Sequence, residues 1–187
     1  MRDFNIIQKL IGENVTEEHL AYVDCYVQEN MDDIIFTQAQ MRDIPELVRL
    51  RIAYMRSDYG SLSDLEEREM CRTLPDYFER KLGQELLAFI AKAGDTIVST
   101  AFLLIVEKPA NPHFLNGKVG EVLNVYTEES YRHRGISTRL MKDLIKVAGE
   151  KRLNRIDFCA TKDGYPLYKK LGFAEKKQPY TDMRYTL

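Results

Sequence analysis

The sequence predicts an α+β fold. Two observations carry that assignment. Helical and strand-like segments alternate irregularly around a central hairpin, without the strict βαβ repetition of a doubly wound sheet. A strand over 120–127 then runs through a basic loop into a strongly amphipathic helix marked by Ile136, Leu140, Leu144 and Val147. There is no internal repeat and no low-complexity tract.

Taken in order, residues 1–32 read as a helical extension. Thr16 is positioned to cap, Glu17 and Glu18 fill the first turn, and Leu20, Val23 and Val27 recur at helical spacing. The main domain, 33–187, opens with a short strand from Ile34 to Ala39. Asp43-Ile44-Pro45-Glu46 starts a helix, which carries the apolar stripe Leu47, Leu50, Ile52 and Met55 and ends at Gly60. A second helical region, Ser63 to Leu82, is expected to break or bend at Pro75. Leu86 to Ala91 and Ile97 to Val106 are β-rich and joined through Gly94-Asp95. Pro109 and Pro112 bracket a loop. Past the amphipathic helix, Asn154 is expected as a left-handed cap and Arg155 to Ala160 as a strand. Tyr165 to Leu171 reads as a short helix stopped by Gly172. Phe173 to Lys176 and Met183 to Leu187 read as closing strands.

Composition bounds the function. A chain of 187 residues, 44% hydrophobic and 30% charged, supports one self-sufficient core with an added segment. With 27 basic and 29 acidic side chains the net charge is −2, which argues against a nucleic-acid partner. No apolar run suits a secretory signal or a membrane span. The three cysteines, Cys25, Cys71 and Cys159, form no C-x-x-C pair, so neither a zinc site nor a disulfide framework is expected. Reduced, scattered cysteines fit the cytoplasm. Cys159 has no evident base partner and reads as a small buried hydrophobe.

Charge is uneven. Residues 132–155 hold Arg132, Arg134, Arg139, Lys142, Lys146, Lys151, Arg152 and Arg155 against Asp143 and Glu150. This block suits either a small anionic ligand or a solvated helix face. The loop Arg132-His133-Arg134-Gly135-Ile136-Ser137 opens the helix. Its first N–H groups lack helical partners, the helix dipole is positive there, and Gly135 lets a ligand approach the backbone. That combination is either an anion cradle for a phosphate or pyrophosphate, or a plain strand–helix turn.

The same loop resembles the R/Q-x-x-G-x-G/A signature of the GNAT superfamily of acyl-CoA-dependent N-acyltransferases. Val125-Tyr126-Thr127 precedes it at the family's spacing. Leu167-Tyr168-Lys169-Lys170-Leu171-Gly172-Phe173 looks like the family's L-Y-x-x-L-G-F element. The resemblance covers about residues 33–187 and implies a mixed, mostly antiparallel central sheet flanked by helices. It also implies acetyl-CoA as acyl donor and a small-molecule or peptide amine as acceptor, attacked directly in a ternary complex. Ser137 stands where the family usually has Gly or Ala, and serine is small and suits a helix start.

Carried onto this sequence, the resemblance implies that the backbone of Val125, Tyr126 and Thr127 pairs with the pantetheine arm. Arg132, His133, Arg134, Gly135, Ile136, Ser137 and Thr138 would hold the pyrophosphate through backbone amides. Thr161 stands where many relatives have a cofactor-touching Asn. Tyr168 stands where many place the tyrosine that protonates the CoA thiolate; the other reading is a core tyrosine beneath Phe173. Glu121 is the candidate base, acting directly or through water, or else a surface carboxylate on an edge strand. Asn116, Asn124 and His113 are weaker polar candidates. The acidic residues Asp58, Asp64, Glu66, Glu67 and Glu69 suit either a cationic acceptor or a helix start. A homodimer through the N-terminal helices fits their apolar faces. A different class of function, an acyl-CoA-binding module without turnover, fits the same motifs and is separated from the enzyme by thiol release.

Overall fold

The computed structural model describes residues 34–112, 114–176, 181 and 183–186. The helical extension expected over 1–32 lies outside them, with His19 and Cys25, and so does His113. Within the chain two compact units meet in sequence between Asp157 and Phe158.

The first unit is built on a five-stranded sheet in the order β1 (Ile34–Gln38), β2 (Leu86–Ala93), β3 (Thr96–Glu107), β4 (Lys118–Thr127) and β5 (Ile156–Asp157). The first four strands are antiparallel neighbours and β5 runs parallel to β4. Gly94, at φ 58, makes the tight turn of the central hairpin. Helices α1 (Ile44–Tyr59) and α2 (Asp64–Lys81) cover one face, and α3 (Ile136–Glu150) packs on β2, β3 and β4. Ile44, Leu47, Leu50, Phe78 and Leu82 from the helices meet Leu86, Ala88, Ile90, Ile97 and Phe102 from the sheet. Successive strand side chains alternate faces, so Leu87, Phe89 and Leu103 face the other way. Ile136, Leu140, Met141, Leu144 and Ala148 are the buried stripe of α3. Two covered faces explain why Leu86 to Ala91 is uninterruptedly apolar.

Local chemistry sets the helix starts. Ser63 and Glu66 form a reciprocal capping box at α2. Before α1, the Asp43 carboxylate accepts from the Gln40 N–H at 2.8 Å and pairs with Lys92 at 2.7 Å. Burial raises the Asp43 carboxyl, but hydrogen bonds from Lys92 and Gln40 outweigh it, leaving its pKa below the ordinary 3.8. A depressed native pKa contributes stability above the unfolded value, lost as pH falls through the native one. Asp43→Asn should therefore lower stability to urea by about 2 kcal/mol at neutral pH. The gap should close as pH drops below 3.8; a gap unchanged in acid would show that the carboxylate charge does not matter.

Several expectations are corrected. Helix α2 runs through Pro75 without interruption. A proline forfeits one hydrogen bond, and Phe78, buried one turn later, ties the C-terminal half to the core. The left-handed residue after α3 is Arg152, at φ 57, not Asn154. The N–H groups of Arg152 and Leu153 bond the carbonyls of Gly149 and Ala148, a Schellman closure. Asn154 instead donates its N–H to the Lys118 carbonyl at 3.0 Å. The strand expected over 155–160 is only Ile156–Asp157.

The second unit, from Phe158, holds α4 (Tyr165–Lys170). Gly172, at φ 92, closes it with another Schellman pattern: Phe173 N–H bonds the Tyr168 carbonyl and Gly172 N–H that of Lys169. This turn folds Phe173 back toward the helix, so Phe173 to Lys176 forms no strand, and neither do the described residues 183–186. Phe158, Tyr168 and Phe173 form an edge-to-face cluster with centroids 4.4, 4.9 and 6.1 Å apart.

Candidate active site

The end of β4 is irregular. Thr100 pairs with Tyr126 and Phe102 with Leu123, so Ala101 faces two residues, Asn124 and Val125. This is a β-bulge, with Asn124 at φ 52. Side chains of β3 satisfy its carbonyls: Thr100 Oγ1 donates to Asn124 O at 3.0 Å and Ser99 Oγ to Tyr126 O at 2.8 Å. On the opposite edge, pairing with β5 covers only Gly120 and Glu121. From Val122 to Thr127 that edge of β4 has no strand partner among the described residues, so Val125, Tyr126 and Thr127 lie on an open edge.

The chain then turns through Glu129–Tyr131 into Arg132 to Thr138. His133 and Gly135 both have positive φ, 63 and 75. Gly135 is the N-cap of α3, and the first helical bond runs from Arg139 N–H to Gly135 O. The N–H groups of Ile136, Ser137 and Thr138 therefore precede the helical ladder. A Cβ on Gly135 would meet nothing within 4 Å, leaving room for an anion against the helix start.

Ser137 does not cap α3. Its hydroxyl shares a 2.8 Å hydrogen bond with Thr127, which shares one of 2.7 Å with Ser99. This chain of hydroxyls locks the helix start to the end of β4. The arginine side chains fold back on the loop. Arg132 Nε donates to Thr127 O at 3.1 Å and stacks over Tyr126; Arg134 donates to Ser130 O at 2.9 Å and stacks over Tyr131. They set the loop's shape while adding positive charge. Arg49 of α1 adds a brace, bonding Glu46, Glu128 and the Ile97 carbonyl. Its hydrogen bond to Glu46 raises the guanidinium pKa and holds the Glu46 carboxyl low.

The other candidates distribute differently. Glu121 is exposed, in register with Leu104 on β3 and Asp157 on β5, six residues upstream of Thr127. Asn116 is a staple: it donates to Arg152 O at 2.6 Å, accepts from Lys118 N–H and is bonded by Asn154. Thr161 and Tyr168 belong to the second unit. Thr161 Oγ1 accepts from Gly164 N–H at 3.2 Å, and Tyr168 is buried in its aromatic cluster. Cys159 is exposed, not buried, and both it and Cys71 are free thiols. Of the acidic set, Glu66 serves the α2 cap, Glu67 pairs with Arg56 at 2.5 Å and Glu69 with Arg72 at 2.8 Å.

Sequence reasoning missed Arg51, which lies half-buried on α1 and donates to Asn124 Oδ1 at 3.2 Å. Its signal was a cation four residues from both Leu47 and Met55, on the apolar stripe. No helix among the described residues is long and apolar enough to cross a membrane. None of their His, Cys, Asp and Glu side chains cluster in threes suited to a metal.

A mostly antiparallel sheet whose fourth strand opens beside a glycine-capped helix start fits what the resemblance to the GNAT superfamily implies for the fold, and the comparisons agree. The sequence pattern of the Acetyltransferase (GNAT) family matches residues 47–173. The chain belongs to this family: it is an acyltransferase, and acetyl-CoA is its donor. A glucosamine 6-phosphate N-acetyltransferase of Trypanosoma brucei brucei is 29% identical over 107 residues, 56% of this chain and 69% of that protein. A predicted acetyltransferase from Clostridium acetobutylicum, solved with acetyl-CoA, superposes with TM-score 0.69 at 29% identity, covering 81% of this chain and 96% of that one. A GCN5-related N-acetyltransferase from Ralstonia eutropha JMP134 shares the fold, with TM-score 0.68 at 23% identity over 80% of this chain and 98% of that one. Membership in the family implies an amine acceptor.

Proposed function

We propose that this protein moves acetyl from acetyl-CoA to a primary amine of a small molecule or peptide by direct attack in a ternary complex. The observation that carries the reading is the juxtaposition of an open β4 edge with a glycine-capped helix start, locked together through Thr127 and Ser137. In this reading the backbone of Val125, Tyr126 and Thr127 pairs with the pantetheine amides. The N–H groups along Arg132 to Thr138 receive the pyrophosphate, and Thr161 adds a contact to the donor. Acetyl-CoA supplies an activated thioester.

The residues then have defined tasks. Glu121, directly or through water, takes the proton that the ammonium must lose before its lone pair can attack. A backbone N–H at 125–127 donates to the carbonyl oxygen as negative charge develops there. The C–N bond forms, the C–S bond breaks, and the sulfur takes the pair and a proton from the Tyr168 phenol. The exposed free thiols Cys71 and Cys159 fit a reducing, cytoplasmic setting. The remaining partner in this reading is a second copy of the chain, met through the N-terminal segment.

The test is thiol release from acetyl-CoA across a panel of amines, with acetylated product identified by mass. The panel includes amino sugars and their phosphates, diamines, amino acids and peptides, because the trypanosomal relative is named for a phosphorylated amino sugar. Amine-dependent thiol release with an N-acetyl product is expected. Acetyl-CoA binding with no release for any amine would overturn the proposal, and burst kinetics with an acetylated enzyme would overturn direct attack.

A further inference from the structure

Helix α1 carries three arginines whose fates differ. Arg49 is bonded by Glu46, Glu128 and a carbonyl, and Arg56 by Glu67. Both are exposed, whereas Arg51 is half-buried. Arg51 makes no ion pair among the described residues. Its partners are neutral: Asn124 Oδ1 at 3.2 Å and the Tyr54 ring, 5.7 Å from its Cζ. A guanidinium carries five N–H donors in a planar fork. One reaches Asn124, and no second acceptor for the rest is found among the described residues.

That arrangement is costly unless something completes it. Buried charges are ordinarily paired, because taking them out of water costs several kcal/mol. Burial does depress the Arg51 pKa, outweighing the opposing influence of Tyr54, Tyr77, Tyr59 and Asp58. The cation is nevertheless held in place. Asn124 uses both ends of its amide, accepting from Arg51 and donating to Thr100 Oγ1 at 2.8 Å, and it is itself buried. Tyr54 stands 6.2 Å from Tyr126, and the Tyr59 and Tyr77 phenols are near enough to influence Arg51. Asn124 immediately precedes Val125, Tyr126 and Thr127 on the open edge of β4. A half-buried cation held by Asn124 and Tyr54, with no ion pair among the described residues, thus sits beside the proposed reaction edge. It lies on the α1 side of the sheet, away from the anion cradle at the start of α3.

We infer that Arg51, oriented by Asn124 and walled by Tyr54, is the specificity site for an anionic group, a phosphate or carboxylate, on the amine acceptor. The inference rests on the N-acetyltransferase reading and narrows its acceptor. Of the acidic residues considered for a cationic acceptor, Glu66, Glu67 and Glu69 are engaged within the protein. A guanidinium fork suits either oxyanion through paired N–H donors.

The test uses amine pairs that differ in one anionic group: glucosamine 6-phosphate against glucosamine, phosphoethanolamine against ethanolamine, and β-alanine against β-alaninamide. Kinetics of thiol release are measured for the wild type, Arg51→Met and Arg51→Lys. Methionine keeps the apolar stem, and melting temperature with acetyl-CoA affinity verifies that each variant is folded. The wild type should favour the anionic member of at least one pair by ~10-fold or more in kcat/KM, the worth of one charge-assisted hydrogen bond. The phosphate and carboxylate arms show which oxyanion is taken. Arg51→Met should erase the preference through the acceptor KM, with acetyl-CoA KM unchanged, and Arg51→Lys should retain part of it. Equal use of neutral or cationic members, a preference that survives Arg51→Met, or a parallel rise in acetyl-CoA KM each overturns the inference. Should no amine be acetylated, the enzyme reading fails separately. Calorimetric titration of the CoA complex with glucosamine 6-phosphate, phosphoethanolamine and β-alanine still reads the site, and absence of Arg51-dependent binding of all three overturns it.

Discussion

Gly135→Glu should abolish acetyl-CoA binding while leaving the protein folded. The added side chain leaves the backbone where the N–H groups of Ile136, Ser137 and Thr138 precede the helical ladder, and its Cβ meets no protein atom within 4 Å. No described atom crowds the new Cβ, so the effect of the added charge falls on the ligand. A carboxylate about 4 Å from one phosphate charge costs about 4 kcal/mol at an effective dielectric of about 20. Affinity should therefore fall by at least ~100-fold. A separate cost is conformational: at φ 75 any L side chain pays about 1–2 kcal/mol. Gly135→Ala carries that cost without the charge. Calorimetry should show a lower melting temperature in both variants but lost binding only with glutamate. A folded Gly135→Glu protein that binds acetyl-CoA as tightly as the wild type would remove the cradle from the binding site.

The parts of this design that were legible in the sequence are those set by local rules. Ile136, Leu140 and Leu144 recur at helical spacing, and the helix appears where they do. Gly94 and Asp95 between two apolar runs make a hairpin whatever surrounds them. The helix start at Gly135 declares itself because a glycine ahead of an apolar helical repeat needs no tertiary partner to open a helix. What stayed hidden depends on contacts between distant residues. The role of Ser137 is set by Thr127 and Ser99, from two different strands. Pro75 suggests a break, but burial of Phe78 holds the helix together across it. Phe173 to Lys176 reads as a closing strand, yet the Gly172 turn spends the Phe173 N–H on the Tyr168 carbonyl.

Arg51 and Asn124 show the same limit at the candidate site. Their separation in sequence is 73 residues, and only the bulge in β4 brings the Asn124 amide to the Arg51 guanidinium. The sequence leaves the carboxylates Asp58, Asp64, Glu66, Glu67 and Glu69 as either an attraction for a cationic acceptor or helix-start chemistry. The structure spends Glu66, Glu67 and Glu69 on a cap and two ion pairs, and leaves Arg51 of α1 with no ion pair among the described residues.

Tyr168→Phe should lower kcat by roughly 10²–10⁴, the range for a general acid, with little change in KM for acetyl-CoA. As the C–S bond breaks, the electron pair moves to sulfur, and without the phenol the thiolate must leave unprotonated or wait for water. The ring itself is structural: it is buried edge-to-face against Phe158 at 4.4 Å, a contact phenylalanine preserves. Melting temperature should therefore change little, which separates loss of chemistry from loss of packing. Gly164→Ala supplies the converse perturbation. Its new Cβ would stand 2.8 Å from Tyr168 Cε2, so the ring must shift while keeping its hydroxyl. If the phenol serves as proton donor, kcat should fall in that variant as well, because a displaced acid transfers its proton poorly. If Tyr168 were only a core residue, Gly164→Ala would cost stability alone and Tyr168→Phe would keep wild-type kcat. That pair of results would move the proton donor elsewhere in the protein or to solvent.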